Sequence, residues 1–373
     1  MSPARRKGAA GARGSRVVRV ELGARSYPIR ITTDSLSEVG PEILARTGAN
    51  RVALVTVPSI GRRYAGPVMR SLRAAGVPVT RIDVPDGDST KSLAQLRKLY
   101  DVFLDEGLDR KSALVALGGG MVGDLTGFAA ATYLRGIPFV QIPTTVLAMV
   151  DASIGGKTAV NVPQGKNLIG AFHQPSLVWL DTATLRSLPV RDRAAGFAEI
   201  VKAGAIWDAR YFARLERDAE RLLELDPAAL IPVLERACRI KADVVRRDER
   251  EESGLRALLN FGHTLGHAIE KQMGYRRILH GEAVSIGMVH AARRSEALDL
   301  APAGTALRLE GLLARFGLPT EIPRYDRKAH IAAMKVDKKK EGRKIHYVVL
   351  RRIGQAETVE LSPAQILPAR RSA

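Results

Sequence analysis

Ser112-Ala113-Leu114-Val115-Ala116-Leu117 runs directly into Gly118-Gly119-Gly120-Met121-Val122-Gly123-Asp124. The first six residues read as a buried strand. The glycines that follow have the Gly118-x-Gly120-x-x-Gly123 spacing of a dinucleotide-binding turn, where a strand end and the next helix N-terminus must approach phosphate closely. Spacing alone fits a tight structural turn as well. The turn does not lie in the first βα unit, and the next acid after Asp124 is Asp151, too far along for the usual ribose carboxylate.

Upstream, Val52-Ala53-Leu54-Val55-Thr56 is a strand candidate, followed by a helical stretch from Gly66 to Ala75 and a second strand near Val77 to Val84. Ser89 or Thr90 can cap a helix whose apolar residues Leu93, Leu96, Tyr100 and Phe103 recur at three- and four-residue intervals, and Gly107 can end it. Strands alternating with helices imply a parallel sheet covered on both faces. From about residue 190 long helical patterns take over, including 228–246 and 283–296. The expected architecture is therefore an α/β N-terminal nucleotide-binding domain, residues 19–185, and a mainly α-helical C-terminal domain, residues 186–373, after a basic flexible tail at 1–18.

The 373 residues carry 58 Lys and Arg against 39 Asp and Glu, a formal charge of +19. Arg5, Arg6, Lys7, Arg13, Arg16 and Arg19 fall within the first twenty residues without an acid, interrupted by Gly8, Gly11 and Gly14. This segment lacks the apolar h-region of a secretory signal. A second basic stretch, Arg324 to Arg352, includes Lys338, Lys339, Lys340, Arg343 and Lys344 before the strand-like His346-Tyr347-Val348-Val349-Leu350. With 5% aromatic residues the chain has few stacking platforms, so single-stranded nucleic acid is not an expected partner, and the charge suits a small anionic substrate better. One cysteine excludes an internal disulfide framework, and no apolar run approaches the ~18 residues of a membrane helix. No membrane association and a cytoplasmic location are the expectation.

Polar residues cluster where chemistry is expected. Gly155-Gly156-Lys157-Thr158 resembles the end of a phosphate loop, but Asp151 stands where its first glycine is required. Lys157, Lys166 with Asn167, and Arg135 before Gly136 all sit beside glycines, where ammonium groups and backbone N–H groups can reach a phosphate or carboxylate together. Buried neighbours Ile154, Val160, Val162 and Leu168 are expected there. Pro85-Asp86-Gly87-Asp88 ends another strand and can bring Asp88 or Lys91 to a cofactor. His263 and His267 are four apart on one helix face, and His280 follows in Leu279-His280-Gly281-Glu282. Glu199 can complete a three-ligand metal site with them, and spacing leaves open which two histidines are ligands, because one can instead move a proton beside the metal.

Taken together, Gly118 to Phe128, Pro143-Thr144-Thr145, Val150 to Lys157, Gly165-Lys166-Asn167, Leu259 to Glu270 and Leu279 to Glu282 resemble the 3-dehydroquinate synthase family of sugar-phosphate cyclases over roughly residues 20–360. The resemblance implies tightly held NAD, a divalent metal that is zinc or cobalt, an active site between the two halves and a homodimer. It implies conversion of 3-deoxy-arabino-heptulosonate 7-phosphate, in the shikimate pathway, into 3-dehydroquinate and phosphate. The steps are transient oxidation by NAD, phosphate elimination, re-reduction and intramolecular aldol closure. Carried onto this sequence, it makes Glu199, His263 and His280 the metal ligands. Lys157, Lys202, His267 and Asp151 become catalytic. Arg135, Lys166, Asn167, Glu252, Arg256, Asn260 and Lys344 bind the substrate, with Arg135 reaching its phosphate. Asp88, Lys91, Gly119, Gly120, Asp124, Thr144 and Thr145 lie on the cofactor side. Asp88 stands where the family commonly has Glu, and Thr56-Val57-Pro58 lacks the acidic or amide side chain common there, departures that bear on cofactor affinity. Related alternatives are aminodehydroquinate and 2-deoxy-scyllo-inosose synthases; an alcohol dehydrogenase and a noncatalytic nucleic-acid-binding module are the further rivals.

Overall fold

The computed structural model describes residues 15–274, 277–322, 326–337 and 344–367. Residues 1–14 of the expected tail, and Arg324, Lys338, Lys339, Lys340 and Arg343 of the second basic stretch, lie outside them. The tail expectation is too long at its other end. Arg16–Val20 is a strand, β1, which pairs antiparallel with β2, Tyr27–Thr32, and buries Val18 and Val20 while its arginines face outward.

The remaining strands of the N-terminal half are β3 (Val52–Thr56), β4 (Val79–Asp83), β5 (Ala113–Gly118), β6 (Phe139–Pro143), β7 (Lys157–Val162), β8 (Gly165–Phe172) and β9 (Leu177–Asp181). Seven strands form one sheet in the order β1-β2-β9-β6-β5-β3-β4, parallel from β2 through β4. Strand periodicity explains why both faces are covered. Val52 and Leu54 pack into one apolar layer with the helices Val39–Thr47 and Gly66–Ala74, whereas Ala53 and Val55 pack into the other with Leu93–Asp105 and Gly120–Thr132.

From β3 the chain moves to the edge strand β4, then returns across β3 to become β5. Connections therefore diverge between β3 and β5, and the crevice at their carboxyl ends is where open α/β sheets bind ligands. The Thr56 hydroxyl donates to the Leu117 carbonyl at 2.7 Å, and the Thr144 N–H donates to the Gly118 carbonyl at 2.9 Å, so the ends of β3, β5 and β6 are tied at the glycine turn.

The C-terminal half stacks the helices Val190–Trp207, Ala209–Leu223, Pro227–Arg247, His263–Gln272, His280–Ala297 and Thr305–Arg315, with a hairpin of β10 (Ile345–Arg352) and β11 (Gln355–Leu361). One apolar cluster joins Ile29 and Ile31 of β2 to Phe197, Val245 and Leu265 of the helices, so the two halves share a core. Residue 185 falls in the 3-10 segment Thr182–Ser187 that leads from β9 to this helical half.

Two local expectations are corrected. The cap of Leu93–Asp105 is Ser92, whose hydroxyl accepts the Gln95 N–H, because Ser89 and Thr90 are used in a 3-10 turn of their own. Around the β7–β8 hairpin Ile154 and Val160 are buried, but Val162 is half-buried and Leu168 is 63% exposed, since β8 lies on the surface with Ile169 and Phe172.

Starting the chain at residue 21 rather than 15 is expected to cost roughly 3 kcal/mol or more, the burial of two valines plus a strand ladder, read as a lower denaturation midpoint. Equal midpoints for the two chains would contradict the packing of β1.

Candidate active site

Three helices position a carboxylate and two imidazoles. Val190–Trp207 is buried along Ala194 to Ile206 and carries Glu199 and Lys202. His263 opens the helix His263–Gln272, and His280 opens His280–Ala297. Glycine brings these backbones together. A Cβ on Gly281 would lie 1.8 Å from the Ala195 carbonyl oxygen, and one on Gly287 would lie 1.9 Å from that of Gly262, the residue before His263. Glu282 accepts the Leu279 N–H at 2.8 Å and takes Arg191 at 2.6 and 2.8 Å, fastening the start of the third helix to the first.

The donor atoms of Glu199, His263 and His280 all lie within 4.8 Å of one another. Nε2 of His263 is 3.5 Å and Nε2 of His280 is 3.8 Å from Glu199 Oε1. Both Glu199 oxygens are buried without a hydrogen-bond partner, and Lys202 forms an ion pair with Oε2. The other nitrogen of each ring is already engaged. Nδ1 of His263 faces the Phe261 carbonyl at 3.2 Å, and Nδ1 of His280 faces Glu270 Oε2 at 3.1 Å. Burial, with Lys202, His280 and His267 nearby, holds His263 well below the usual histidine range. Burial also opposes charge on His280, but the hydrogen bond and charge of Glu270, with Glu199 behind, raise it above its ordinary value. This donor set fits a divalent ion: the unsatisfied carboxylate asks for positive charge, and each Nε2 is the free ring nitrogen. His267, Glu270 and His280 form a second group within the same 4.8 Å limit.

Charged residues extend from this cluster toward the hairpin. Asp151 pairs with Lys241; burial would raise its carboxyl, but Lys241, Lys202 and His263 hold it well below the usual carboxylate range. Lys157 pairs with Glu251, whose carboxylate also lies 3.5 Å from Arg256 Nε. Arg256 is buried and donates to the carbonyls of Glu249 at 2.6 Å and Gly155 at 3.3 Å, which binds the two halves together. Lys166 is 2.9 Å from Asp88 and 4.0 Å from Glu270.

On the glycine side, a Cβ at Gly119 would meet Thr145 Cγ2 at 3.2 Å and one at Gly120 would meet Ala152 at 3.3 Å. The Thr144 hydroxyl at the end of β6 is buried without a partner. A close glycine cradle with an unsatisfied hydroxyl fits a bound dinucleotide. The Lys91 ammonium is held between Asp124, expected on the cofactor side, and Asn167, expected on the substrate side. Burial raises the Asp124 carboxyl above its ordinary value in spite of Lys91.

Four expected substrate residues have no contact with the histidine cluster among the described interactions. Arg135 is exposed on a turn where Leu134 and Arg135 have φ of 49° and 69°. Glu252 and Asn260 are exposed, and Lys344 lies 3.5 Å from Glu360 on the terminal hairpin. Sequence reasoning gave no role to Lys241, Glu251 or Glu270. The signal for Lys241 was a cation within the apolar run Ala237, Cys238, Ile240, Val244 and Val245. For Glu270 it was a position three residues after His267, on the same helix face.

Residues 81–195 match the family model described as 3-dehydroquinate synthase N-terminal, and residues 196–340 match that of its C-terminal part. The 3-dehydroquinate synthase of Pelobacter propionicus is 49% identical over 351 residues, covering 94% of this chain and 98% of the relative. That of a Synechococcus species is 48% identical, covering 93% and 96%. The chain belongs to the 3-dehydroquinate synthase family. The family's fold neighbours include 2-epi-5-epi-valiolone synthase from Streptomyces hygroscopicus, solved with NAD+ and Zn2+, at TM-score 0.84 and 28% identity over 94% of this chain and 97% of that one. A 2-deoxy-scyllo-inosose synthase solved with carbaglucose-6-phosphate, NAD+ and Co2+ has TM-score 0.81 and 25% identity over 94% and 98%. A butanol dehydrogenase from Thermotoga maritima, 15% identical at TM-score 0.65, shares the fold with the synthase family.

Gly281→Ala is expected to push the helix bearing His280 away from the one bearing Glu199, an overpacking of about 1–3 kcal/mol or more. Both the melting temperature and the affinity for zinc should fall; wild-type values for both would contradict the close helix contact.

Proposed function

We propose that this chain is an NAD- and divalent-metal-dependent carbon–oxygen lyase that converts 3-deoxy-arabino-heptulosonate 7-phosphate into 3-dehydroquinate and phosphate. The observation that carries the reading is the buried Glu199 carboxylate, without hydrogen bonds, facing two free imidazole nitrogens in a chain that is 49% identical to a 3-dehydroquinate synthase. Glu199, His263 and His280 would hold zinc or cobalt, and Gly119, Gly120, Thr144, Thr145, Asp88, Lys91 and Asp124 would hold NAD. When bound, the ion polarises a substrate hydroxyl and the nicotinamide takes up and returns a hydride.

The chain's own groups would supply the rest. Lys157, Lys166, Asn167 and Arg256 line the hairpin side and bind the anionic sugar. Glu251 now lies against both Lys157 and Arg256 and gives way to the substrate's own anionic groups. Lys202 and Asp151 stand beside the metal ligands, where a lysine and an ionised carboxylate can hold or move protons at the reacting hydroxyl; His267 would act on the phosphate side of the substrate. Arg135 would reach the phosphate from across a homodimer interface, and Glu252, Asn260 and Lys344 would close on the substrate from the C-terminal half. Residues 19–185 would thus bind cofactor and 186–373 metal and substrate, the enzyme working in the cytoplasm.

A second reading, another sugar-phosphate cyclase, is favoured by the TM-scores of 0.81 and 0.84, but those neighbours are 25% and 28% identical, well below the 49% and 48% of the 3-dehydroquinate synthases. No helix among the described residues is long and apolar enough to cross a membrane.

Purified protein with NAD and zinc or cobalt is expected to release phosphate from the heptulosonate phosphate in step with 3-dehydroquinate, without NADH accumulating. Absence of phosphate release rejects the proposal. A different phosphorylated sugar turned over in its place favours the second reading, and net NADH favours a dehydrogenase. Lys157→Ala should lower kcat/KM roughly 10- to 150-fold, the loss of one charged hydrogen bond, with NAD affinity unchanged. Equal losses in both would remove Lys157 from the substrate side.

A further inference from the structure

We infer that Glu270 is a positioning residue of the metal site, fixing the tautomer and orientation of His280 through a hydrogen bond between its buried carboxylate and the ring nitrogen turned away from Glu199. The inference rests on the ligand set proposed above and deepens it.

Glu270 lies on His263–Gln272, and its side chain is 7% exposed. Oε2 accepts from His280 Nδ1 at 3.1 Å, while Oε1 is 4.0 Å from the ammonium of Lys166. Lys166 belongs to β8 of the N-terminal half and also meets Asp88 at 2.9 Å. One buried carboxylate thus links an imidazole of the metal cluster to the hairpin that would grip the substrate. Because Nδ1 carries the proton in this bond, the neutral ring has its lone pair on Nε2, and Nε2 is the atom turned toward Glu199 at 3.8 Å. Without Glu270 the proton is free to move to Nε2 and the ring to turn.

His267, Glu270 and His280 are close enough to hold an ion themselves. Two observations favour the positioning role. His280 Nδ1 donates to Glu270 and has no lone pair for a metal on that side. Glu270 Oε2 has a hydrogen-bond partner, whereas Glu199 Oε1 has none and Glu199 Oε2 meets the Lys202 ammonium. A carboxylate behind a ligating histidine commonly changes metal affinity about 10- to 100-fold.

The test is zinc affinity of the full-length protein by competition with a chromophoric chelator, alongside the visible spectrum of the cobalt-loaded protein and its melting temperature. Glu270→Leu, apolar and similar in volume, should weaken zinc about 10- to 100-fold while the cobalt band keeps its position, because the ligands are intact. Glu270→Gln retains an acceptor for Nδ1–H and should fall between wild type and Glu270→Leu. Wild-type zinc affinity in Glu270→Leu, even with a changed melting temperature, overturns the inference and leaves the ligand set standing. So does a Gln variant as weak as the Leu variant. A cobalt spectrum altered in Glu270→Leu as it is in His263→Ala would make Glu270 a ligand instead. Zinc retained by His263→Ala would remove the ligand set itself, and this inference with it.

Discussion

A buried carboxylate without hydrogen bonds is costly unless cations meet it, and Glu199 imposes that condition on the whole C-terminal half. Lys202 supplies one positive charge from the same helix. The rest of the site is arranged by the demand for more. Gly281 lets the helix starting at His280 approach Val190–Trp207, and Gly287 lets it approach the start of His263–Gln272, backbone to backbone and closer than any side chain would permit. The imidazoles that arrive there are ordered by second partners, Phe261 behind His263 and Glu270 behind His280. Packing and electrostatics are therefore one problem here: the same glycines that stabilise the helix stack also set the spacing of the donors.

Charge continues outward from this centre in pairs that cross between the halves. Arg256 donates to Gly155, Lys157 meets Glu251, Lys166 meets Glu270, and Lys241 meets Asp151. Each of these contacts joins the stretch from Asp151 to Lys166, ahead of the helical half, to a helix or loop of that half. The β7–β8 hairpin carries Lys157 and Lys166, and its apolar residues Leu168, Ile169 and Phe172 are exposed. An anionic substrate entering this network would replace protein carboxylates as the partner of the same cations, which exchanges one set of charge pairs for another rather than burying new charge.

Much of this was legible in the sequence where the signal is local. The strand before the glycine turn is consecutively apolar because both its faces are covered, and the histidines stand out by their four-residue spacing. Ligand choice was not legible in the spacing, since His263 and His267 share a helix face; it came only from the family resemblance, and in the structure His263 is the one that faces Glu199. Lys241 and Glu270 looked like ordinary polar positions on amphipathic helices because their partners, Asp151 and His280, come from other elements. β1 was hidden for a different reason: Arg16 and Arg19 made it look like a continuation of the basic tail, while only Val18 and Val20 marked its inward face. Ser92 competed with two equally suitable caps a few residues earlier.

The central claim is that one cation is gathered by Glu199, His263 and His280. Anomalous scattering from crystals loaded with zinc or cobalt tests it most directly. The account predicts one strong peak per chain at about 2.0–2.2 Å from a Glu199 oxygen and from Nε2 of each of the two histidines. A peak among His267, Glu270 and His280, or none between the three helices, would contradict it.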